Sequence, residues 1–314
     1  MIAIGVDIGG TSIKGAAITS EGKVLQTFSM RVEKGEKQEL TINKLINEIN
    51  KYIDEQGLDK KELVGIGMGV PGVMDTKTGV ITYSNNLQWY DLPIVKMVEE
   101  GTGLKVRITN DANAAALGEA KFGAGKKYKN IIMVTLGTGV GGGIIIDGKL
   151  YEGNLGKGAE LGHTVLVLDG EQCSCGRKGC IEAYASATAL VRDTKRAMEQ
   201  HKESKCWEFA EKNGKVDARV AFDADRAGDE VGHQLVEQYV KYLGESLMNY
   251  FNIFRPEALI LSGGVANEGE YLLSRLRAYL EPRYYGYQGT PKVELLISEL
   301  GYDSGKIGAA ALFF

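Results

Sequence analysis

The strongest constraint on the fold is a strand–turn–strand unit at the start of the chain, Asp7-Ile-Gly9-Gly10-Thr11-Ser-Ile-Lys14. Asp7 ends an apolar strand, and the two glycines let the backbone reverse with no side chain in the way of an approaching anion. Thr11 and Lys14 add a hydroxyl and a cation. The exit Ile13-Lys-Gly-Ala-Ala-Ile18 has no cap and no helical period, so it reads as a second strand. This excludes the two common glycine-rich phosphate loops, each of which opens a helix. A similar unit recurs at Leu136-Gly137-Thr138-Gly139-Val-Gly-Gly-Gly143, with more glycine than a plain hairpin needs. Glycine inside a strand weakens it, and close approach of a ligand to the backbone accounts for that cost. A third element, Ser262-Gly263-Gly264-Val-Ala-Asn267, sits between a strand and a helix, in a place suited to a nucleotide's base and ribose.

The chain predicts an α/β protein. Strands are expected over Ile2–Ile8, Ile13–Ile18 and Lys23–Met30. Leu40, Leu45, Ile46, Ile49 and Ile53 predict a helix that ends near Gly57, and Leu63–Val70 reads as a buried strand. A strand at Val106–Thr109, a helix at Asp111–Phe122 and a strand at Ile131–Leu136 follow. Asn110–Gly125 is the candidate junction between lobes. Later helices are expected over Ser186–Gln200, Glu230–Phe251 and beyond Glu268, with a strand at Ala258–Leu261. The polar stretch Lys202–Lys215 reads as a surface excursion, and Ser304–Phe314 as a small apolar helix returning to the first lobe. The expected division is residues 1–115 plus 300–314 against 116–299.

A length of 314 residues suits two lobes, and a net charge of −4 with no long run of one sign gives no electrostatic case for nucleic acid or membrane partners. The first ten residues lack a signal peptide's basic region, and no apolar stretch is long enough to span a bilayer. The expected compartment is the cytoplasm. Partners are expected to be small molecules, with a homodimer as the commonest assembly.

Phosphoryl transfer to an alcohol needs a carboxylate beside the acceptor. Asn110-Asp111 provides one where a strand meets an alanine-rich helix, although either residue would equally serve as a helix cap. Downstream, Glu160-Leu-Gly-His163 is followed by Cys173-Ser-Cys175-Gly-Arg-Lys-Gly-Cys180. Three close thiols and an imidazole suit a closed, tetrahedral structural Zn²⁺ site of His163, Cys173, Cys175 and Cys180. Such an ion would anchor the loop carrying Glu160, His163 and Glu182, whose polar groups suit a ligand rich in hydroxyls. Taken alone, Glu182 reads as a solvated acid at a helix start. Cys206 reads as an ordinary free cysteine.

In order along nearly the whole chain, these motifs resemble those of the ROK family, which groups sugar kinases with related repressors, and within it the bacterial glucokinases. The resemblance implies an actin-like (ribonuclease H-like) two-lobed sugar kinase fold, with ATP, its Mg²⁺ and a sugar meeting in the interlobe cleft. It implies that Asp111 is the catalytic base and that Asn110, Glu160, His163 and Glu182 hold the sugar. Gly72 would approach the sugar through its backbone, and Asn86 would form another wall. Asp7, Gly9, Gly10, Thr11 and Lys14, with Gly137, Thr138 and Gly139, match the ATP phosphate region. His163 would use one nitrogen for zinc and the other for the sugar. Family repressors carry a helix-turn-helix ahead of the sugar domain, for which a strand beginning at Ile2 leaves no room.

Overall fold

The computed structural model describes residues 1–314. The chain forms two compact units: Met1–Lys129 with Gly143–Ala159 and Ser298–Phe314, and Asn130–Gly142 with Glu160–Ile297. The segment Asn110–Gly125 lies within the first.

The first unit opens with the expected meander, β1 (Ile2–Ile8), β2 (Ser12–Thr19) and β3 (Val24–Arg31), followed by α1 (Gln38–Glu55) and β4 (Leu63–Val70). A small antiparallel sheet comes next, β5 (Val73–Asp75), β6 (Val80–Ser84) and β7 (Trp89–Leu92), then α2 (Ile94–Thr102), β8 (Val106–Asn110) and α3 (Asp111–Phe122). The main sheet has the order β3-β2-β1-β4-β8, with the β1–β4 and β4–β8 pairs parallel. Strand alternation sends Ile4, Val6 and Ile8 into the core shared with α1 and α2.

One expected core position is corrected. Leu40 is exposed, and the buried stripe of α1 runs through Ile42, Leu45, Ile46, Ile49 and Ile53. At 100° per residue, positions 40 and 42 point to nearly opposite sides; Ile42 is the one in phase with the rest.

The second unit contains β9 (Ile131–Leu136), and the chain passes back to the first unit within β10 (Val140–Ile146), continuing through β11 (Lys149–Tyr151). Helices α4 (Glu182–Ala185), α5 (Ala187–Gln200), α6 (Cys206–Lys212), α7 (Arg219–Arg226) and α8 (Glu230–Phe254) precede β12 (Ala258–Ser262), α9 (Glu270–Leu280) and β13 (Glu294–Ile297). This sheet has the order β11-β10-β9-β12-β13, so each five-stranded sheet places its strands third, second, first, fourth, fifth. That shared order is the ribonuclease H-like pattern expected of the fold.

The stretch Lys202–Lys215 lies mostly at the surface, as expected, but also contains α6, whose Cys206 and Ala210, one turn apart, are buried with Met198, Val220 and Ala224. Two inward positions in seven residues are too few to stand out from a polar sequence.

The last helix, α10 (Ser304–Ala310), returns to the first unit and lies between the β1–β4 face and α3. Its backbone touches theirs: a Cβ on Gly5 would fall 1.9 Å from the Lys306 carbonyl oxygen, and one on Gly308 would fall 1.6 Å from that of Ala114. The small residues of this stretch are therefore a packing requirement. No helix is long and apolar enough to cross a membrane.

Candidate active site

In the first unit the acidic residues gather at the end of β1. The Gly9–Thr11 turn is closed by the Gly9 amide donating to the Ser12 carbonyl at 2.9 Å, and it leads straight into β2 with Asp7 directly opposite Lys14. At α3 the cap and the acid of Asn110-Asp111 are two different residues. Asn110 is the cap, its Oδ1 accepting from the amides of Ala112 at 2.9 Å and Asn113 at 3.4 Å. Asp111 is then the first helical residue, and its Oδ1 accepts from the Ala112 amide at 3.0 Å.

Burial raises the proton affinity of Asp111 against those hydrogen bonds. Asp7 is pushed up to about 6, by burial first and then by the Asp111 charge, with Lys14 and Lys306 opposing. Two carboxylates whose proton affinities are both raised by burial, one of them further by the other's charge, are the kind of perturbed cluster that marks a reaction centre. Lys306 was not legible as part of it, because it sits in a stretch whose composition reads only as a packing helix. Asn86 lies beside the hairpin tip, its carbonyl oxygen 3.8 Å from where a Gly10 Cβ would be. Gly72 has φ +120°, and a side chain there would meet the Tyr83 carbonyl at 2.5 Å; the strand packing of β6 is enough to require glycine.

In the second unit the turn between β9 and β10 is closed by the Gly137 amide donating to the Gly139 carbonyl at 3.0 Å. It is held by the start of the helical segment that follows the cysteine loop. The Ala187 amide donates to the Gly137 carbonyl at 2.9 Å, and Thr188 Oγ1 donates to the Thr138 carbonyl at 2.7 Å. Glu182 is not the solvated acid that its position suggests. Its Oε2 accepts the Val140 amide at 3.1 Å and its Oε1 accepts Ser174 Oγ at 2.5 Å. A Cβ on Gly139 would come within 2.3 Å of that carboxylate, so Gly139 makes room for it. Gly263, at φ +88°, packs on the Leu136 backbone, whereas a Cβ on Gly264 would meet nothing. Of the two, Gly264 is the one that faces open space.

Glu160 leads into a single 3₁₀ turn, Leu161–His163, whose His163 amide returns to the Glu160 carbonyl at 3.1 Å. The ligand atoms of His163, Cys173, Cys175 and Cys180 all lie within 4.8 Å of one another. His163 Nδ1 is 3.6 Å from Cys173 Sγ, and Cys175 Sγ is 3.7 Å from Cys180 Sγ. Bonds of about 2.3 Å to sulfur and about 2.0 Å to nitrogen at tetrahedral angles require donor separations of roughly 3.5–3.8 Å. The residues therefore fit a Zn²⁺ ion. Burial, followed by the neighbouring thiols, pushes the Cys180 thiol up to about 12, so the cluster calls for a cation if it is to hold thiolates. Because Nδ1 faces the thiols, Nε2 is the imidazole nitrogen left to face elsewhere.

A hairpin ending in a buried acid, a capped acid at a helix start and a Cys₃His loop together define the ROK architecture, and the chain belongs to the ROK family, whose model matches residues 3–314. Among curated relatives it is 37% identical to a glucokinase of Halalkalibacterium halodurans, over 98% of this chain and 94% of that one. It is also 32% identical to a xylose repressor of Bacillus spizizenii, over 99% of this chain and 76% of the repressor. Among solved structures it resembles the ROK glucokinase of Streptomyces griseus in complex with glucose and AMPPNP, at 35% identity and TM-score 0.82, over 99% of each chain.

Proposed function

We propose that this protein is an ATP-dependent hexokinase that converts glucose to glucose 6-phosphate. The observation that carries the reading is the pair of largely desolvated carboxylates, Asp7 and Asp111, both of raised proton affinity, beside the Gly9–Thr11 turn, in a chain whose near-full-length relatives include glucokinases. Asp111 serves as general base. It accepts the proton of the sugar hydroxyl as that oxygen forms a bond to the γ-phosphorus, while the bond from phosphorus to the bridging oxygen breaks and ADP leaves. A carboxylate whose proton affinity is raised by burial suits this task, since the proton must be taken as the alcohol becomes nucleophilic.

Asn110, Glu160, Glu182, His163 Nε2 and the backbone of Gly72 bind the sugar hydroxyls. The backbone amides of Gly10 and Gly139, on turns that the Gly9 and Gly137 amides close, hold the phosphates together with the hydroxyls of Thr11 and Thr138 and the Lys14 ammonium. Gly264 offers its open side to the nucleoside. Asp7 would hold the Mg²⁺ that accompanies ATP, and the ion would neutralise charge on the transferring phosphoryl group. His163, Cys173, Cys175 and Cys180 would hold a Zn²⁺ ion, which would fix the loop that carries Glu160 and Glu182.

The test is a coupled ADP-release assay over glucose, mannose, fructose, allose and N-acetylmannosamine, ranked by kcat/KM. Glucose is expected to lead. Comparable values for several hexoses would remove the glucose assignment alone; sugar binding without ADP release would favour a regulator of the xylose-repressor kind.

A further inference from the structure

We propose that Lys306 is an additional cation of the nucleotide-phosphate site, acting beside Asp7 and Lys14. This rests on the assignment of the Gly9–Thr11 hairpin to ATP.

The Lys306 side chain retains 8% of its exposure, yet its ion-pair partner, Asp303, is half exposed. Burying an ammonium is costly, so its retention in a helix of otherwise small residues asks for another role. Placement supplies one. Lys306 lies on α10, whose preceding residue packs directly on the acid: a Cβ on Gly305 would fall 2.8 Å from Asp7 Cγ. The Lys306 carbonyl in turn abuts Gly5, two residues before Asp7 on β1.

The charged groups that act on Asp7 are Asp111 from α3, Lys14 from β2 and Lys306 from α10; β4 presents Gly69 opposite it. Lys306 and Lys14 thus bring two positive charges to Asp7 at the base of the hairpin, where a triphosphate would arrive. Lysine is suited to this as a compact point charge on a flexible stem whose methylenes can lie along apolar surface.

The experiment measures KM for Mg·ATP and KM for glucose in Lys306→Met, Lys306→Arg, Asp303→Asn and Asp7→Asn, with melting temperatures alongside. For Lys306→Met the expected result is a rise in KM for Mg·ATP of about tenfold, the scale of one charge-assisted hydrogen bond. KM for glucose should stay within about twofold, a difference too small to represent a lost contact. Lys306→Arg should recover most of the loss, and Asp303→Asn should leave KM for Mg·ATP at or below the parent value.

An unchanged KM for Mg·ATP in Lys306→Met, or an equal loss in Asp303→Asn, overturns the proposal, the latter because Lys306 would then matter only as a partner of Asp303. If Asp7→Asn impairs ATP use while Lys306→Met does not, the hairpin assignment stands and the role of Lys306 falls. If neither does, the hairpin assignment itself fails.

Discussion

The Glu182 carboxylate accepts the Val140 amide at 3.1 Å, which ties the end of the cysteine loop to the glycine turn between β9 and β10. With Ser174 Oγ on its other oxygen, this acid is set by the cysteine loop on one side and by the hairpin on the other.

Gly139→Ala tests that tie. The new methyl would approach Glu182 Oε2 to 2.3 Å, and the acid must shift. A displacement of this size in a positioning group costs about 100-fold in kcat/KM. The expected loss appears in steady-state kinetics with zinc content unchanged; parent-like kinetics would mean that Glu182 is not needed in its observed place.

Asp111→Asn keeps size and shape but removes the base. Turnover should fall about a thousandfold, the usual span for a positioned general base, while the melting temperature, bound zinc and KM for glucose stay close to the parent. Turnover within a few fold of the parent would exclude Asp111 as the base.

Asp7 makes stability depend on pH in a definite direction. Its folded pKa of about 6 lies above its unfolded value near 3.8, so the native state binds the extra proton between them and stability falls as pH rises through that window. The shift of about two units corresponds to roughly 3 kcal/mol lost by pH 7. Asp7→Asn should therefore be more stable than the parent at pH 7 and should lose this dependence between pH 4 and 6, as read by urea denaturation. A parent that gains stability across the window would contradict the assignment.

Cys180→Ser removes one ligand from the Cys₃His set. The protein is expected to lose its zinc, counted by elemental analysis as one ion per chain in the parent. Hydrogen exchange should quicken over residues 160–182, and KM for glucose should rise at least tenfold, the scale at which altered metal ligation is felt. Parent-like exchange in that loop would show that no ion braces it.

Two glycines separate packing from ligand contact. Gly308→Ala forces a methyl toward the Ala114 carbonyl oxygen and should cost about 3 kcal/mol in unfolding free energy, as overpacking does. Gly264 has φ −59° and open space around its missing Cβ, so Gly264→Ala should leave stability within about 0.5 kcal/mol. Its effect should fall on KM for ATP; a stability loss instead would make that turn a packing element.

Much of the fold was legible because the relevant signals are local. Asp111–Phe122 and Ile131–Leu136 form a helix and a strand with the expected bounds, since a cap, an alanine run and a β-branched run each act within a few residues. Leu40 and α6 were misread for the same reason. When an inward stripe is short or offers two candidate phases, only the partner surface decides between them. Glu182 stood out only through the motif that carries it, and its hydrogen bond to Val140 joins residues 42 positions apart, which no local pattern reports.

The linear order of residues by itself determined the chemistry on offer: two glycine-threonine hairpins, a capped acid and a Cys₃His set, because spacing along the chain decides which groups share a turn. Only the tertiary structure decided how those groups are charged and held. The raised proton affinity of Asp7 comes from burial beneath α10 and from Asp111, more than a hundred residues away. The inclusion of Lys306 in that cluster depends on the backbone-to-backbone packing of the last helix on the first strand. Desolvation and Coulomb forces act through space, and which groups they join is settled only when the sheets and helices pack.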